Sequence, residues 1–147
     1  YSWRKRSNYL SLNFIFHIFK FYYFIIIYLI YKEIMKYSGS CHCNAVKFNI
    51  VTDLENVAQC NCTYCKRRNA KMLLEKKEAI EITEGKDQLT LYQFNTNIAK
   101  HHFCKNCGIF VYSNRRFDPN GIAVNLGCID EIDTFSIDNP IADNIHK

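Results

Sequence analysis

Seven of the eight cysteines in this 147-residue chain lie in three short clusters. The clusters are Cys41 and Cys43; Cys60, Cys62 and Cys65; and Cys104 and Cys107. Tetrahedral zinc is bound by thiolates at such spacing, and a Cys-x-x-Cys turn followed by glycine, as at Cys104 to Gly108, lets two sulfurs converge on one ion. The clusters predict two Zn²⁺ ions per chain, one held by four cysteines and one by three, with Cys128 left over.

Other uses of these cysteines fit the pattern less well. Cysteines one or two residues apart seldom bridge each other in a disulfide framework, and nothing in the sequence points convincingly to secretion. A redox dithiol at Cys104 and Cys107 would be expected within a βαβ unit, which the surrounding pattern lacks. Spacing alone leaves open whether Cys41 and Cys43 or two cysteines of the middle cluster complete the four-cysteine site.

The elements that must position these cysteines are short strands, because apolar residues alternate with period two in four runs. The runs are Val46/Phe48/Ile50, Ile80/Ile82, Leu89/Leu91 and Ile122/Val124/Leu126. Helical character is confined to Leu73–Ile80, so the sequence predicts a mainly β domain over residues 35–147 with little helix. Its apolar core is thin, and metal cross-links would add to its stability.

Residues 1–34 differ in composition from the rest of the chain. They hold 12 of the 22 aromatic residues, none of the cysteines and +4 of the formal charge of +5. Residues with A/T-rich codons make up 26 of the 34, and we expect this leader to be upstream sequence read in frame, with Met35 as the natural start. A membrane segment over residues 9–31 is one alternative, although Lys20 lies within it. A targeting segment is another, although residues 1–34 offer no Ala or Gly for a cleavage site.

The remaining residues carry a net charge of only +1. A basic patch strong enough to bind nucleic acid is therefore not expected in the main body. Zinc thiolates favour a reducing compartment, so we expect a cytoplasmic protein. Contact with a membrane is expected only if residues 9–31 belong to the native protein.

Three motifs occur in order along the main body. They are Gly39-Ser40-Cys41-His42-Cys43-Asn44-Ala45-Val46-Lys47-Phe48, Cys60-Asn61-Cys62-Thr63-Tyr64-Cys65-Lys66 and Phe103-Cys104-Lys105-Asn106-Cys107-Gly108. With these motifs the chain resembles the glutathione-dependent formaldehyde-activating enzyme family. The stretches 91–104 and 115–120 resemble more specifically the branch that contains centromere protein V, and the resemblance covers about residues 35–146.

The resemblance implies a zinc-bound β-tent, or Mss-four-like, fold of small antiparallel sheets. It implies that a structural zinc ion is held by Cys41, Cys43, Cys104 and Cys107. It also implies that Cys60, Cys62 and Cys65 hold a second zinc ion with one position open. A glutathione-type thiol would occupy that position in a carbon–sulfur lyase that forms and cleaves S-hydroxymethylglutathione.

Several further residues have more than one interpretation. His101 is a candidate proton carrier beside the second zinc, although strand alternation sends at least one of His101 and His102 away from it. The charge run of Lys66, Arg67 and Arg68 favours a solvated face over binding of substrate carboxylates.

In the enzyme-like relatives, an Arg often follows the middle cluster directly and a Gly lies nearby. This chain departs from that pattern, because Lys66 follows Cys65 and the segment Lys66 to Ala70 contains no Gly.

Cys128 is expected to be a buried thiol. If it instead closed the second site, the protein would be a non-catalytic zinc-binding β-domain that binds a macromolecular partner.

Overall fold

The structure is a computed structural model that describes residues 17–23, 35–138 and 140–142. By its contacts the chain divides into two units, Tyr1–Glu33 and Ile34–Lys147. In the first unit residues 17–23 are helical with exposed side chains, and the rest of the predicted leader and of the candidate span 9–31 lies outside the described residues. Within the described part of the chain, no helix has the length and apolar character needed to span a bilayer.

The second unit is built from short strands that form two sheets. The strands among the described residues are β1 (Met35–Ser40), β2 (Lys47–Thr52), β3 (Val57–Cys60), β4 (Met72–Lys76), β5 (Ile80–Glu84), β6 (Leu89–Tyr92), β7 (Lys100–Cys104), β8 (Phe110–Asn114), β9 (Gly121–Asn125) and β10 (Ile141–Ala142). The smaller sheet has the order β1-β2-β5 and the larger the order β10-β3-β4-β9-β8-β7-β6. The pairs are antiparallel apart from β10 with β3. One helix, Cys65–Arg68, and three 3-10 turns complete the described elements of this unit.

The prediction of a mainly β fold with little helix is confirmed. The four alternating runs contribute to β2, β5, β6 and β9. In β2, Phe48 and Ile50 are buried while Lys47, Asn49 and Val51 are more exposed, as expected for a strand covered on one face. In β9, the four consecutive residues Gly121 to Val124 are buried, and the strand lies inside the larger sheet between β4 and β8.

The stretch with helical character, Leu73–Ile80, folds mostly as a strand. Met72 and Leu73 are 4% and 0% exposed in β4, which pairs with β9 along its whole length. Only Lys77–Ala79 forms a 3-10 turn. Burial and ladder hydrogen bonds therefore outweigh the local helix preference of the Glu and Lys residues.

One buried cluster is shared by both sheets and forms the core. It joins Phe48 and Ile50 of β2 to Leu73 and Val124 of the larger sheet. Cys41 and Cys104 belong to the same cluster and are 1% and 0% exposed. Two of the predicted metal ligands are therefore also core residues.

The larger sheet has a second face with a distinct row of side chains. The registers place five residues side by side across neighbouring strands: Leu74, Ala123, Ser113, His101 and Tyr92. Because side chains alternate along a strand, this row lies opposite Leu73 and Val124, which face the core. Ala123 and Ser113 have small side chains, so the middle of the row leaves space above the sheet.

Gly39 in β1 lies where another segment passes very close. It forms an antiparallel bridge with Ile129. A Cβ atom at Gly39 would lie 2.3 Å from Cζ of Phe48 and 2.5 Å from the carbonyl oxygen of Cys128. Glycine is therefore required for this segment to pack against β1 and the core.

We predict that Gly39→Ala lowers the free energy of unfolding by about 1–3 kcal/mol, the usual cost of overpacking a core. Urea unfolding followed by circular dichroism measures the change. Gly127→Ala is the matched control, because a Cβ atom there would meet only Asn125 Oδ1 at 3.5 Å, an ordinary contact. Equal stability of both variants and the unsubstituted protein would contradict the prediction.

Candidate metal centres

The first cluster brings together four cysteines from two turns. Cys41 and Cys43 lie in the turn between β1 and β2, and Cys104 and Cys107 lie at the turn between β7 and β8. Their sulfur atoms all lie within 4.8 Å of one another. The structure thus pairs the first and last clusters of the sequence, the pairing that the family resemblance implies and that spacing alone left open.

Local backbone geometry shapes both turns of the first cluster. In the first turn, the amide of Val46 donates a hydrogen bond to Cys41 Sγ at 3.3 Å, and Asn44 has a left-handed φ of 59°. In the second turn, the amide of Gly108 donates to the carbonyl oxygen of Cys104 at 2.8 Å, with φ of 73° at Gly108. Glycine adopts this φ without the steric cost that a side chain imposes, which explains the glycine after Cys107.

The second cluster comes from one continuous segment. Cys60 ends β3, Cys62 lies in the following turn and Cys65 begins the short helix, and their sulfurs also lie within 4.8 Å of one another. The turn is held by the amide of Cys65, which donates to Cys62 Sγ at 3.4 Å. Burial raises the pKa of Cys62, but hydrogen bonds from backbone amides and neighbouring thiols outweigh it and leave the pKa below that of an ordinary cysteine.

Cys128 does not complete the second cluster. It belongs to neither group of converging sulfurs among the described residues, and its Sγ lies 3.6 Å from the carbonyl oxygen of Phe110. The cysteines that act electrostatically on it, Cys41 and Cys107, belong to the first cluster. Burial raises the pKa of Cys128 to about 12, so this residue is a buried neutral thiol.

The donor sets fit metal ions that prefer sulfur. Four sulfurs held about 2.3 Å from a tetrahedral zinc ion lie roughly 3.8 Å apart. In the first cluster, Cys43 Sγ lies 3.6 Å from the sulfurs of both Cys41 and Cys104. The eight cysteines, all of which lie in the described part of the chain, form no disulfide bonds. Both clusters could therefore hold a metal ion, the first with four protein ligands and the second with three.

A cavity of about 400 Å³ adjoins the second cluster. Cys60, Cys62 and Cys65 line it, whereas the four cysteines of the first cluster do not. Its floor includes the row of Leu74, Ala123, Ser113 and His101 on the larger sheet. The second cluster is therefore open to the cavity, whereas the first is not.

Aromatic rings form one wall of this cavity. The Tyr64 ring lies 4.4 Å from the His101 ring and 5.2 Å from the Phe94 ring, and the Phe94 and His101 rings stack at 5.7 Å. His101 is 6% exposed, and neither ring nitrogen has a hydrogen-bond partner within the described structure. Burial, with the positive charges of Arg68 and His102, lowers the pKa of His101 to about 4, so its ring is neutral at pH 7.

His102 is placed differently from His101. Its ring stacks on Tyr112 at 4.4 Å, and its Nε2 lies 3.4 Å from Asn114 Oδ1. It does not line the cavity, in agreement with the alternation expected for neighbouring residues of a strand.

The charge run after the second cluster separates into two parts. Lys66 and Arg67 are exposed, as a solvated face requires. Arg68 instead lines the cavity, and its Nη2 donates a hydrogen bond to Cys65 Sγ at 3.1 Å. Burial raises the pKa of Cys65 to about 12 although Arg68 acts in the opposite direction, so Cys65 becomes an anion when a metal ion binds and displaces its proton.

Sequence reasoning missed the role of Arg68 and the contributions of Phe94 and Ser113 to the cavity. A helix turns by about 100° per residue, so three consecutive basic residues of a short helix cannot all face solvent equally. That geometry could have marked one of the three as facing inward. For Phe94 the sequence offers no comparable signal, since it lies outside the strands.

The chain matches known proteins over most of its length. Residues 36–144 match the family model described as glutathione-dependent formaldehyde-activating enzyme. A crystal structure of a Rhodobacter sphaeroides protein from a structural genomics programme is similar in fold, with a TM-score of 0.68 and 31% sequence identity. That similarity covers 71% of this chain and 99% of the other.

We predict that loss of a first-cluster ligand is far more damaging than loss of another buried sulfur. Cys104→Ala should release one metal ion per chain and lower the free energy of unfolding by several kcal/mol, since structural zinc contributes roughly 10–16 kcal/mol to small domains. Cys128→Ala, which removes the sulfur of a residue that is 3% exposed, should retain all metal. Metal analysis and thermal unfolding of both variants measure these effects, and equal stabilities would refute the assignment.

A second prediction concerns the pH dependence of stability. In the unfolded chain His101 binds a proton below pH 6.5, whereas in the folded protein it does so only near its pKa of about 4. Protons therefore favour the unfolded state, and the folded protein loses up to about 3 kcal/mol of stability as the pH falls from 6.5 to 4. His101→Phe keeps an aromatic ring and should lack this loss.

Unfolding of both proteins across this pH range tests the prediction. Acid also protonates the cysteine ligands, but it does so in both proteins, so the difference between them isolates His101. Parallel pH profiles would show that His101 is not buried as a neutral ring.

Proposed function

The chain belongs to the glutathione-dependent formaldehyde-activating enzyme family, and on that premise we propose that it is a zinc-dependent carbon–sulfur lyase that forms and cleaves S-hydroxymethylglutathione. One observation carries the proposal: the three sulfurs of the second cluster converge on the wall of a 400 Å³ cavity with no fourth protein ligand among the described residues. A closed structural site would have four ligands, whereas a reactive site keeps one position for a substrate.

The two clusters have different proposed roles. Zinc held by Cys41, Cys43, Cys104 and Cys107 would be structural, because these residues link two turns and two of them are core residues. Cys60, Cys62 and Cys65 would hold the second ion. Zinc held by three thiolates supplies an open position suited to soft ligands such as sulfur and favours the deprotonated form of a bound thiol.

The reaction requires one proton to move from sulfur to oxygen. In the forward direction, the thiol of glutathione loses its proton, its sulfur attacks the carbon of formaldehyde, and the aldehyde oxygen becomes a protonated hydroxyl group. The reverse direction breaks the same carbon–sulfur bond. His101 is the proposed proton carrier because a neutral imidazole offers one acceptor and one donor nitrogen, and this ring lines the cavity.

The charge of the cavity supports a carboxylate-bearing thiol as substrate. Three arginines, Arg68, Arg115 and Arg116, line the cavity, and no Asp or Glu is among its described lining residues. Arg116 lies over the Phe117 ring at 4.2 Å, and Arg115 Nη1 lies 3.4 Å from Asp118 Oδ2. Arginine binds carboxylates through paired hydrogen bonds, so Arg115 and Arg116 are the proposed contacts for glutathione carboxylates.

We place this activity in the cytoplasm. Eight cysteines without disulfide bonds, seven of them in converging clusters, need a compartment in which thiols stay reduced.

We predict that Cys62→Ser retains one metal ion per chain where the unsubstituted protein holds two. The variant should keep its β-sheet signal, because the first cluster is intact, and lose lyase activity by at least about a hundredfold. In the Co²⁺-substituted protein, glutathione should change the absorption spectrum, and in Cys62→Ser it should not.

Cys128→Ala is the matched control and should keep both metal ions and the response to glutathione. If the unsubstituted protein holds only one ion, or if the absorption spectrum of its Co²⁺-substituted form does not change when a thiol is added, the enzyme proposal fails. The non-catalytic zinc-binding β-domain would then be the better interpretation.

A further inference from the structure

Arg68 occupies an unusual position between the second cluster and the aromatic wall. Its Nη2 donates a hydrogen bond to Cys65 Sγ at 3.1 Å. Its Cζ atom lies 3.6 Å from the centroid of the Phe110 ring and 4.9 Å from that of Tyr64. Two aromatic faces and one cysteine sulfur therefore fix the guanidinium group.

The rest of the guanidinium group is buried without hydrogen-bond partners. Its Nε and Nη1 atoms have none in the described structure. Burying a cation is costly unless a negative charge lies close to it. No carboxylate lines the cavity among the described residues, so the anion available to Arg68 is the cysteine cluster in its metal-bound, thiolate form.

We propose that Arg68 is a positioning residue that acts through Cys65: it balances the charge of the second cluster so that this cluster can accept a further anionic sulfur. Three thiolates around a divalent ion carry a charge of about −1, and binding of a substrate thiolate would bring the site to about −2. The guanidinium group lowers the negative charge by one in each state. This inference rests on the proposed function, because it assumes that the incoming ligand is a thiolate.

The contacts of Arg68 suit arginine better than lysine. A planar guanidinium group can stack on Phe110 and still direct an N–H group at Cys65. A lysine ammonium group carries the same charge and donates hydrogen bonds, but it cannot stack in this way. Arg68→Lys should therefore retain part of the function, whereas Arg68→Met should remove it.

The test uses the Co²⁺-substituted protein with Arg68→Met, Arg68→Lys and the control Lys66→Met. Lys66 carries the same charge and adjoins Cys65 in sequence, but it is exposed. In Arg68→Met the affinity for glutathione, titrated by the absorption spectrum, should fall about ten- to a hundredfold, the usual effect of losing a group that supports a metal ligand. Arg68→Lys should lose less, and Lys66→Met should match the unsubstituted protein.

A second readout needs no thiol. A hydrogen bond to a ligand sulfur lowers the energy of its lone pairs, so its loss should move the sulfur-to-Co²⁺ charge-transfer band of Arg68→Met to longer wavelength. The number of bound Co²⁺ ions and the melting temperature confirm that the variant is folded and loaded.

The outcomes separate the two proposals. If the unsubstituted protein responds to glutathione and Arg68→Met has the same affinity and band position, the role of Arg68 is refuted and the proposed function stands. If no protein responds to thiols, the proposed function fails, and the band position still decides whether Arg68 tunes the cluster. An equal loss of affinity in Lys66→Met would assign the effect to overall charge and overturn the inference.

Discussion

The convergence of four cysteine sulfurs between two turns is the constraint on which the rest of the structure depends. The β1–β2 turn belongs to the smaller sheet and the β7–β8 turn to the larger one, so the first cluster joins the two sheets at one point. The shared apolar cluster that fills the core includes two of these same cysteines. A domain with a thin apolar core gains stability from a bound metal because the ion fixes turns that are far apart in sequence.

With the two sheets fixed by the first cluster, the larger sheet can leave part of its other face open. Ala123 and Ser113 leave room in the middle of the sheet, and the segment after β3 brings the second cluster to the edge of that space. The two clusters thus use the same ligand chemistry in different surroundings. Two cysteines of the first cluster belong to the core, whereas the second cluster borders a cavity lined by arginines and aromatic rings.

The sequence predicts that the three cysteine clusters bind metal and that β2, β5, β6 and β9 are strands, because ligand spacing and period-two alternation are local properties. It does not predict β3 and β7, the strands that end at Cys60 and Cys104. Which clusters share an ion is not local: the pairing of Cys41 and Cys43 with Cys104 and Cys107 depends on which turns meet in the folded chain. It could be taken only from a family resemblance. The orientation of Arg68 was missed for a related reason, since the direction of its side chain depends on where the aromatic wall lies.

The distribution of unpartnered polar atoms favours a ligand site over a purely structural module. Buried polar side-chain atoms are nearly always hydrogen-bonded in native proteins, and each exception requires an explanation. Among the described residues, the buried side-chain nitrogen and oxygen atoms without partners belong to Tyr64, Arg68 and His101. All three line the cavity beside the second cluster. If this wall served stability alone, apolar residues of similar size would fill it at lower cost. Retention of a hydroxyl, a guanidinium and an imidazole in one wall is therefore explained by a ligand, or by water, that supplies the missing hydrogen bonds next to the open cysteine site.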